Sequence, residues 1–378
     1  MERREAVVAK LGQLQGEVQG LIEFLQDEAR AQLEETNLDI AAAAQQVEVA
    51  EMQLRQARTV IYPTLSLDAV YTLNDDQVSF GGGNPYTPLE PYITAVYDEF
   101  GEARVIDTPI TEMGFAGIAT GAAYKDLKPI CEFMTFNFAM QAIDQIVNSA
   151  AKQAYMTNGD FGCPIVFRGP NGAAAGVAAQ HSQCFAAWYS QCPGLKVVMP
   201  YDAEDARGLL KAAIRDPDPV LFMESELAYG IKGEVPDEEY LIPLGKADLK
   251  RDGTDVTLVT YNKQLFNCLD AAKVLEEKHG ISAQVLDLRT IRPLDEQALY
   301  DCVSKTHRMV VVQEGFPFAG VAAEIAARVS EACFDALDAP VLRVTNLDVN
   351  QPYATNLEKL VMPSVDRIVE AARTVCSR

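Results

Sequence analysis

Short apolar runs separated by helical stretches dominate the chain from about residue 97 onward. Val256-Thr257-Leu258-Val259-Thr260, Ala283 to Leu288, Arg308 to Val312 and Pro340 to Val344 are such runs, and the stretches between them read as helices. Strands that alternate with helices fold as a parallel, doubly wound sheet with right-handed crossovers. The same rhythm occurs earlier, at Lys128 to Phe133, Pro164 to Arg168, Leu195 to Met199 and Val220 to Met223. Ile143, Ile146, Val147 and Ala150 share a helical face, and Asp202-Ala203-Glu204-Asp205 reads as a helix start, acidic where the helix dipole favours acid. Residues 231–252 are rich in glycine, proline and charge, which predicts a linker. The fold class expected is therefore α/β, with two successive doubly wound domains at 97–230 and 253–378.

The front of the chain is different. Residues 1–61 hold no proline and many Ala, Gln, Glu and Leu. Leu11, Leu14, Val18, Leu21 and Leu25 step by threes and fours, and Ile40, Val47, Leu54 and Ile61 repeat every seven residues. The spacing predicts an α-helical segment, a helical hairpin or half of a coiled coil. Residues 62–96 combine a strand-like alternation at Leu65 to Leu73 with the Gly81-Gly82-Gly83 run and Pro85, Pro88 and Pro91, which break regular structure.

Charge excludes some functions. With 32 Lys and Arg against 54 Asp and Glu, the net charge is −22, and neither nucleic acid nor an anionic membrane surface suits so acidic a chain. A basic protein partner does. The eight cysteines are scattered with no Cys-x-x-Cys pair, which fits reduced thiols in a reducing compartment. The N-terminus has no apolar core of a signal peptide, and its acids are unlike a transit peptide. No run of about 18 apolar residues is available to span a membrane.

In doubly wound sheets, ligands bind beyond the carboxyl ends of the strands, which directs attention to four segments there. Asp107-Thr108-Pro109-Ile110-Thr111-Glu112-Met113-Gly114 sets a carboxylate, Glu112, in an apolar run, either as part of a proton relay or as a helix N-terminal acid. Cys131-Glu132-Phe133-Met134-Thr135-Phe136-Asn137-Phe138 supplies aromatics and a methionine, able to wall a flat ring or to fill a core. Arg168-Gly169-Pro170-Asn171-Gly172-Ala173 lacks the Gly-Lys-Ser/Thr element of a phosphate loop. It leads to Gln180-His181-Ser182-Gln183, where His181 lies among small and polar residues as the best acid–base candidate of the three histidines. His279 and His307 read as structural. Finally, Asp287-Leu288-Arg289-Thr290-Ile291-Arg292-Pro293-Leu294-Asp295 carries two arginines beside acids, either a bridge between domains or subunits or a solvated pair.

Taken together, these segments resemble the β subunit of pyruvate dehydrogenase E1, within the transketolase-like thiamine diphosphate enzymes. The resemblance runs from about Tyr97 to the C-terminus. It implies a transketolase pyrimidine-binding-like domain followed by a transketolase C-terminal-like domain. Glu112 then resembles the glutamate that hydrogen-bonds the aminopyrimidine ring of thiamine diphosphate and favours its imino form. Phe138 resembles the aromatic that stacks on that ring, with Met134 beside it and Ile110 helping to hold the bent cofactor. His181 resembles the active-site histidine near the substrate and the incoming lipoyl group. The carbonyls of Ile165, Ala213, Asp216 and Asp218 match a structural K⁺ site of hard oxygen donors.

The resemblance further implies thiamine diphosphate shared with an E1 α subunit that carries Mg²⁺, an α2β2 assembly, and no activity for this chain alone. The expected reaction is oxidative decarboxylation of pyruvate with reductive acetylation of the E2 lipoyl domain, and the E2 subunit-binding domain is the basic partner. The expected compartment is the bacterial cytoplasm, with the mitochondrial matrix as alternative. Alternative readings are an acetoin or other 2-oxo acid dehydrogenase β subunit, or a non-catalytic scaffold with an E1-like body. Two departures stand out: Asn346 and Asn350 replace a usual glycine and a common proline, and the Gly-Glu-Glu/Asp-Val block expected before Tyr97 is not found. Residues 37–67 instead resemble a piece of the outer-membrane efflux channels related to TolC. One such fragment cannot close a barrel, so no membrane insertion is expected. Residues 64–73 are the candidate replacement for the lost first strand.

Overall fold

A computed structural model describes residues 96–174 and 176–377. The readings for residues 1–61 and 62–95, including the helical hairpin, the efflux-like fragment and the replacement strand, lie outside the described residues.

Two five-stranded sheets form the body. The first has strands β1 (Ile130–Glu132), β2 (Val166–Pro170), β3 (Lys196–Val198) and β4 (Val220–Glu224), with β8 (Thr290–Arg292) at its far edge, in the order β1-β2-β4-β3-β8. The second is built from β5 (Asp248–Arg251), β6 (Val256–Thr260), β7 (Ala283–Asp287), β9 (Met309–Val312) and β10 (Leu342–Val344), in the order β10-β9-β6-β7-β5. All neighbours run parallel except β8 on β3 and β5 on β7. Every residue of β4, β6, β7 and β9 is buried, as expected for central strands covered on both faces.

Most elements fall where the sequence puts them, and two antiparallel edge strands do not. Residues 248–251, within the stretch read as a linker, form β5. Thr290–Arg292 begins just after the first arginine of the fourth segment, ends on the second, and crosses to the first sheet, where Val197 pairs with Arg292. Neither run is apolar enough to mark itself; each becomes a strand because an open edge satisfies its backbone groups.

The helices are α1 (Glu112–Ala123), α2 (Phe136–Ala139), α3 (Gln153–Met156), α4 (Ala178–His181), α5 (Ala186–Ser190), α6 (Ala203–Arg215), α7 (Gln264–His279), α8 (Glu296–Thr306), α9 (Val321–Ala332), α10 (Thr355–Val361) and α11 (Val365–Cys376). Asp202 caps α6 as expected, its carboxylate accepting from the Asp205 N–H at 2.8 Å. Gly280 closes α7 in the left-handed conformation at φ 64°. His279 is exposed in the last turn of α7, and His307 ends α8 with its Nδ1 2.9 Å from the Ala336 carbonyl oxygen. The eight cysteines are free thiols. No helix among the described residues is long and apolar enough to cross a membrane.

One hydrophobic core joins the sheets, running from Phe133 and Phe167 to Val259 and Val311. A charged cluster pins it. Arg289 extends one guanidinium nitrogen to Asp205 on α6 at 2.6 Å and to Asp248 on β5 at 3.0 Å. Lys250 lies 3.5 Å from the other Asp205 oxygen. Arg289 thus bridges the halves of the chain, and Arg292 donates to the Ser190 carbonyl at 2.6 Å, so the two are not a solvated surface pair.

Asp287, at the end of β7, is wholly buried. Its carboxyl is pushed well above the usual carboxylate range, first by burial and then by the Asp205 charge. The folded chain therefore holds a proton that the unfolded chain releases above about pH 4, so this group makes stability fall as pH rises from there toward its folded-state value. Asp287→Asn removes that dependence. The melting temperature of the variant relative to wild type is expected to climb as pH rises from about 4 into the range where the folded chain loses that proton. A difference that stays constant across that range in calorimetry contradicts the assignment.

Candidate active site

Glu112 opens α1, whose small residues Ala116, Ala119 and Ala123 are buried. Its side chain is buried too, and Oε2 has no hydrogen-bond partner among the described residues. An orphaned carboxylate oxygen is costly in a folded protein, which makes it a marker for a missing ligand. Just before it, Ile110 is 82% exposed, and Met134 after β1 is 59% exposed. The Phe115 ring on α1 lies 5.6 Å from that of Phe133, which ties the start of α1 to the segment that carries Met134 and Phe138.

Phe138 and His181 meet directly. Their rings pack edge to face, with centroids 5.3 Å apart and planes at 90°. Thr135 caps α2, its hydroxyl accepting from the Asn137 side chain at 2.8 Å. Asn137 Oδ1 in turn accepts from the Gln183 backbone N–H and the Gln183 side-chain amide, both at 3.2 Å. The helix carrying Phe138 is thus stapled to the turn that follows His181. Asn137 and Gln183 were inside motifs singled out by sequence, yet nothing local gave them this role.

Glycine makes the strand ends fit. Gly169 in β2 has φ +153°, and a Cβ there would lie 2.4 Å from the Phe133 carbonyl oxygen. That close approach lets the Phe133 N–H donate to the Arg168 carbonyl at 2.9 Å. Arg168 grips Glu224 on β4 with bonds of 2.8 and 3.0 Å and reaches Glu132 at 3.2 Å. Tyr229 donates to Glu224 at 2.6 Å, and its hydroxyl pKa is pushed well up, first by burial and then by the Glu224 charge.

The four carbonyls of the K⁺ expectation lie where β2 and β4 begin and where α6 ends. Ile165 accepts from the Val220 N–H at 2.9 Å, and Ala213 accepts from the Asp216 N–H at 3.2 Å. A tethered cation already reaches this turn: the Lys128 ammonium donates to the Ile214 carbonyl at 3.1 Å and the Asp216 carbonyl at 3.5 Å. Burial lowers the Lys128 pKa, and Asp216 opposes that. Lys196 bonds both carboxylate oxygens of Asp216 at 2.7 Å and lies 3.0 Å from Asp218. Among the described residues, no group of three or more His, Cys, Asp and Glu is placed to hold a metal ion.

Comparison with known proteins agrees with this architecture. Residues 86–232 match the transketolase pyrimidine binding domain, and residues 245–368 match the transketolase C-terminal domain. The chain is 52% identical over 343 residues to a rice protein, pyruvate dehydrogenase E1 component subunit beta-2, mitochondrial, covering 89% of this chain and 90% of that one. The chain belongs to the pyruvate dehydrogenase E1 β-subunit family. A Rhizobium meliloti E1 subunit beta is 54% identical over 81% of this chain and 65% of its own length, and a Drosophila melanogaster mitochondrial one is 54% identical over 82% and 84%. A solved split-gene transketolase, described as an inactive β4 tetramer, superposes with a TM-score of 0.65 at 22% identity, covering 84% of this chain and 99% of that one. That likeness speaks to the fold alone.

The staple between α2 and the His181 turn gives a stability prediction. Asn137→Ala leaves the Gln183 N–H without its acceptor, and urea unfolding is expected to show a loss of about 1–3 kcal/mol. An unchanged midpoint means the staple contributes nothing.

Proposed function

We propose that this chain is the β subunit of pyruvate dehydrogenase (acetyl-transferring). It decarboxylates pyruvate oxidatively with thiamine diphosphate and passes the acetyl group to the lipoyl domain of E2. The observation that carries the reading is the buried Oε2 of Glu112, without a partner among the described residues, two positions after exposed Ile110 on a helix whose Phe115 packs against Phe133 beside Met134 and Phe138. A cofactor ring nitrogen is the donor that this oxygen lacks.

The residues fit the cofactor in kind. Thiamine diphosphate, when bound, supplies the carbanion chemistry that a decarboxylation needs. Glu112 would hold the aminopyrimidine by a hydrogen bond and control the proton at its ring nitrogen. Phe138 would offer a ring for stacking, with Ile110 and Met134 closing apolar walls that exclude water. His181, fixed edge-on to Phe138, would hold or move a proton near the substrate and the arriving lipoyl group.

In this reading the chain supplies half of each active site. An E1 α subunit brings Mg²⁺ and the diphosphate site in an α2β2 assembly, and the chain is inactive without it. The division into a pyrimidine-binding domain at 97–230 and a C-terminal domain at 253–378 follows the same plan, with the bridge at Arg289 holding them together. The net charge of −22 suits the basic subunit-binding domain of E2. The complex would work in the bacterial cytoplasm, the mitochondrial matrix being the second choice.

A K⁺ ion on the Ile165, Ala213, Asp216 and Asp218 carbonyls would brace the turn between α6 and β4, since backbone oxygens suit a hard cation. Thermal unfolding in KCl against choline chloride at equal ionic strength tests it. A saturable rise in melting temperature with K⁺ is expected; no rise means Lys128 and Lys196 alone neutralise this turn.

Reconstitution with a cognate α subunit tests the activity. Thiamine-dependent pyruvate decarboxylation is expected, and Glu112→Gln should lower its kcat by about a hundredfold or more, since a positioned proton-transfer group contributes that much. Full activity in the variant excludes Glu112 from proton control.

A further inference from the structure

Asn171–Ala174, and Gly176 and Val177 further on, lead to His181 without regular structure, and their backbone N–H groups still need acceptors. Two acceptors are local to the first sheet: Asn171 donates to the Glu224 carbonyl at 2.8 Å, and Gly172 donates to the Gln183 carbonyl at 2.9 Å. The other two come from the far half of the chain. The Ala173 N–H donates to the carboxylate of Glu314, which follows β9. Gly176 donates to Glu358 on α10 at 3.3 Å, a bond shared with the Ala174 carbonyl at 3.1 Å. Both carboxylates are buried, Glu314 at 8% exposure and Glu358 at 4%. The Lys263 ammonium lies 3.6 Å from the second Glu314 oxygen and offsets its charge.

Two backbone features show that the segment is held rather than relaxed. Gly172 sits at φ +89°, and a Cβ there would come within 2.4 Å of Glu314 Oε1, so the chain is pressed onto that carboxylate. Ala178, the first residue of α4, has φ 63°, a conformation that a side chain disfavours and that persists only where neighbours impose it. Three residues later stands His181.

We propose that Glu314 is a positioning residue, seconded by Glu358, through which the C-terminal half of the chain fixes the His181 imidazole against Phe138. The proposal rests on the function proposed above for His181, yet its geometric core is testable without activity.

The full chain contains three histidines, so labelling them with ¹³C gives three ring signals by NMR. Phe138→Leu, which removes the ring current, identifies that of His181. Glu314→Ala is expected to shift the His181 signal and leave those of His279 and His307 in place. Glu314→Gln, which keeps an oxygen for the Ala173 N–H, is expected to return it to the wild-type position. With the α subunit present, Glu314→Ala is expected to lower kcat about a hundredfold, the scale of an ångström-sized misplacement, and Glu314→Gln to restore most of it. A His181 signal unmoved in Glu314→Ala, or moved equally in Glu314→Gln, overturns the proposal. Should Glu314→Ala fail to fold, Glu358→Ala is read in the same way, and an unmoved His181 signal there overturns it too. A wild-type complex without activity would remove the proposed function and leave the NMR outcome to stand or fall alone.

Discussion

Asp205 is a carboxylate with none of its surface exposed, and Arg289 makes it tolerable. A buried charge without its partner costs on the order of 3–5 kcal/mol, so these residues cannot separate cheaply. The pair joins α6, which covers the first sheet, to the turn after β7 in the second. Arg289 itself is held at φ 55°, and Thr290–Arg292 then runs on as the outer strand of the first sheet. The two sheets are thus fixed in one relation by a charge pair, a crossing strand and a shared apolar core. Every contact between the strand ends depends on that relation.

Those contacts are polar and specific. Asn262, just after β6, donates to the Pro200 carbonyl at 3.1 Å and the Met223 carbonyl at 3.2 Å, beyond β3 and near the end of β4. Glu314, just after β9, reaches the backbone beyond β2. Ligand sites of doubly wound sheets form beyond strand carboxyl ends, because crossover loops splay apart there and leave backbone groups free. In this chain the second half supplies part of what those loops lack, and so the site is a property of both halves.

Sequence carried the parallel strands well and the two antiparallel edge strands poorly. Val256–Thr260 is built of Val, Leu and Thr alone, four of its five residues β-branched, and reads as a buried strand. Asp248–Arg251 is charged and lies among linker residues, and Thr290–Arg292 follows one arginine and ends on another. Pairing at an open edge overrode their composition. The site divides the same way. Ile110, Glu112, Met134, Phe138 and His181 lie in segments whose order is specific to one family, and the fold brings Phe138 and His181 into ring contact. Asn137 and Glu314 each accept from a backbone N–H, across 46 and 141 positions of chain. No local pattern encodes such a bond, because its donor is a backbone group that any sequence would possess.

Burial alone does not single out Glu112, since the chain buries several carboxylates. Their partners do. Glu224 is gripped by Arg168 and Tyr229, Glu314 by Ala173 and Lys263, and Asp205 by Arg289 with Lys250 nearby. Asp287 also has an oxygen without a donor, but it sits within reach of the fields of Arg289 and Lys250, and its carboxyl is pushed toward the neutral form. Glu226 has one as well, and burial raises its pKa. Glu112 forms no ion pair among the described residues, stands at the head of a helix, and has exposed apolar side chains on either side of it in sequence. The helix N-terminus eases its charge but leaves Oε2 without a donor among the described residues, and so the buried oxygen of Glu112, together with the histidine, marks the place where a ligand ring would fit.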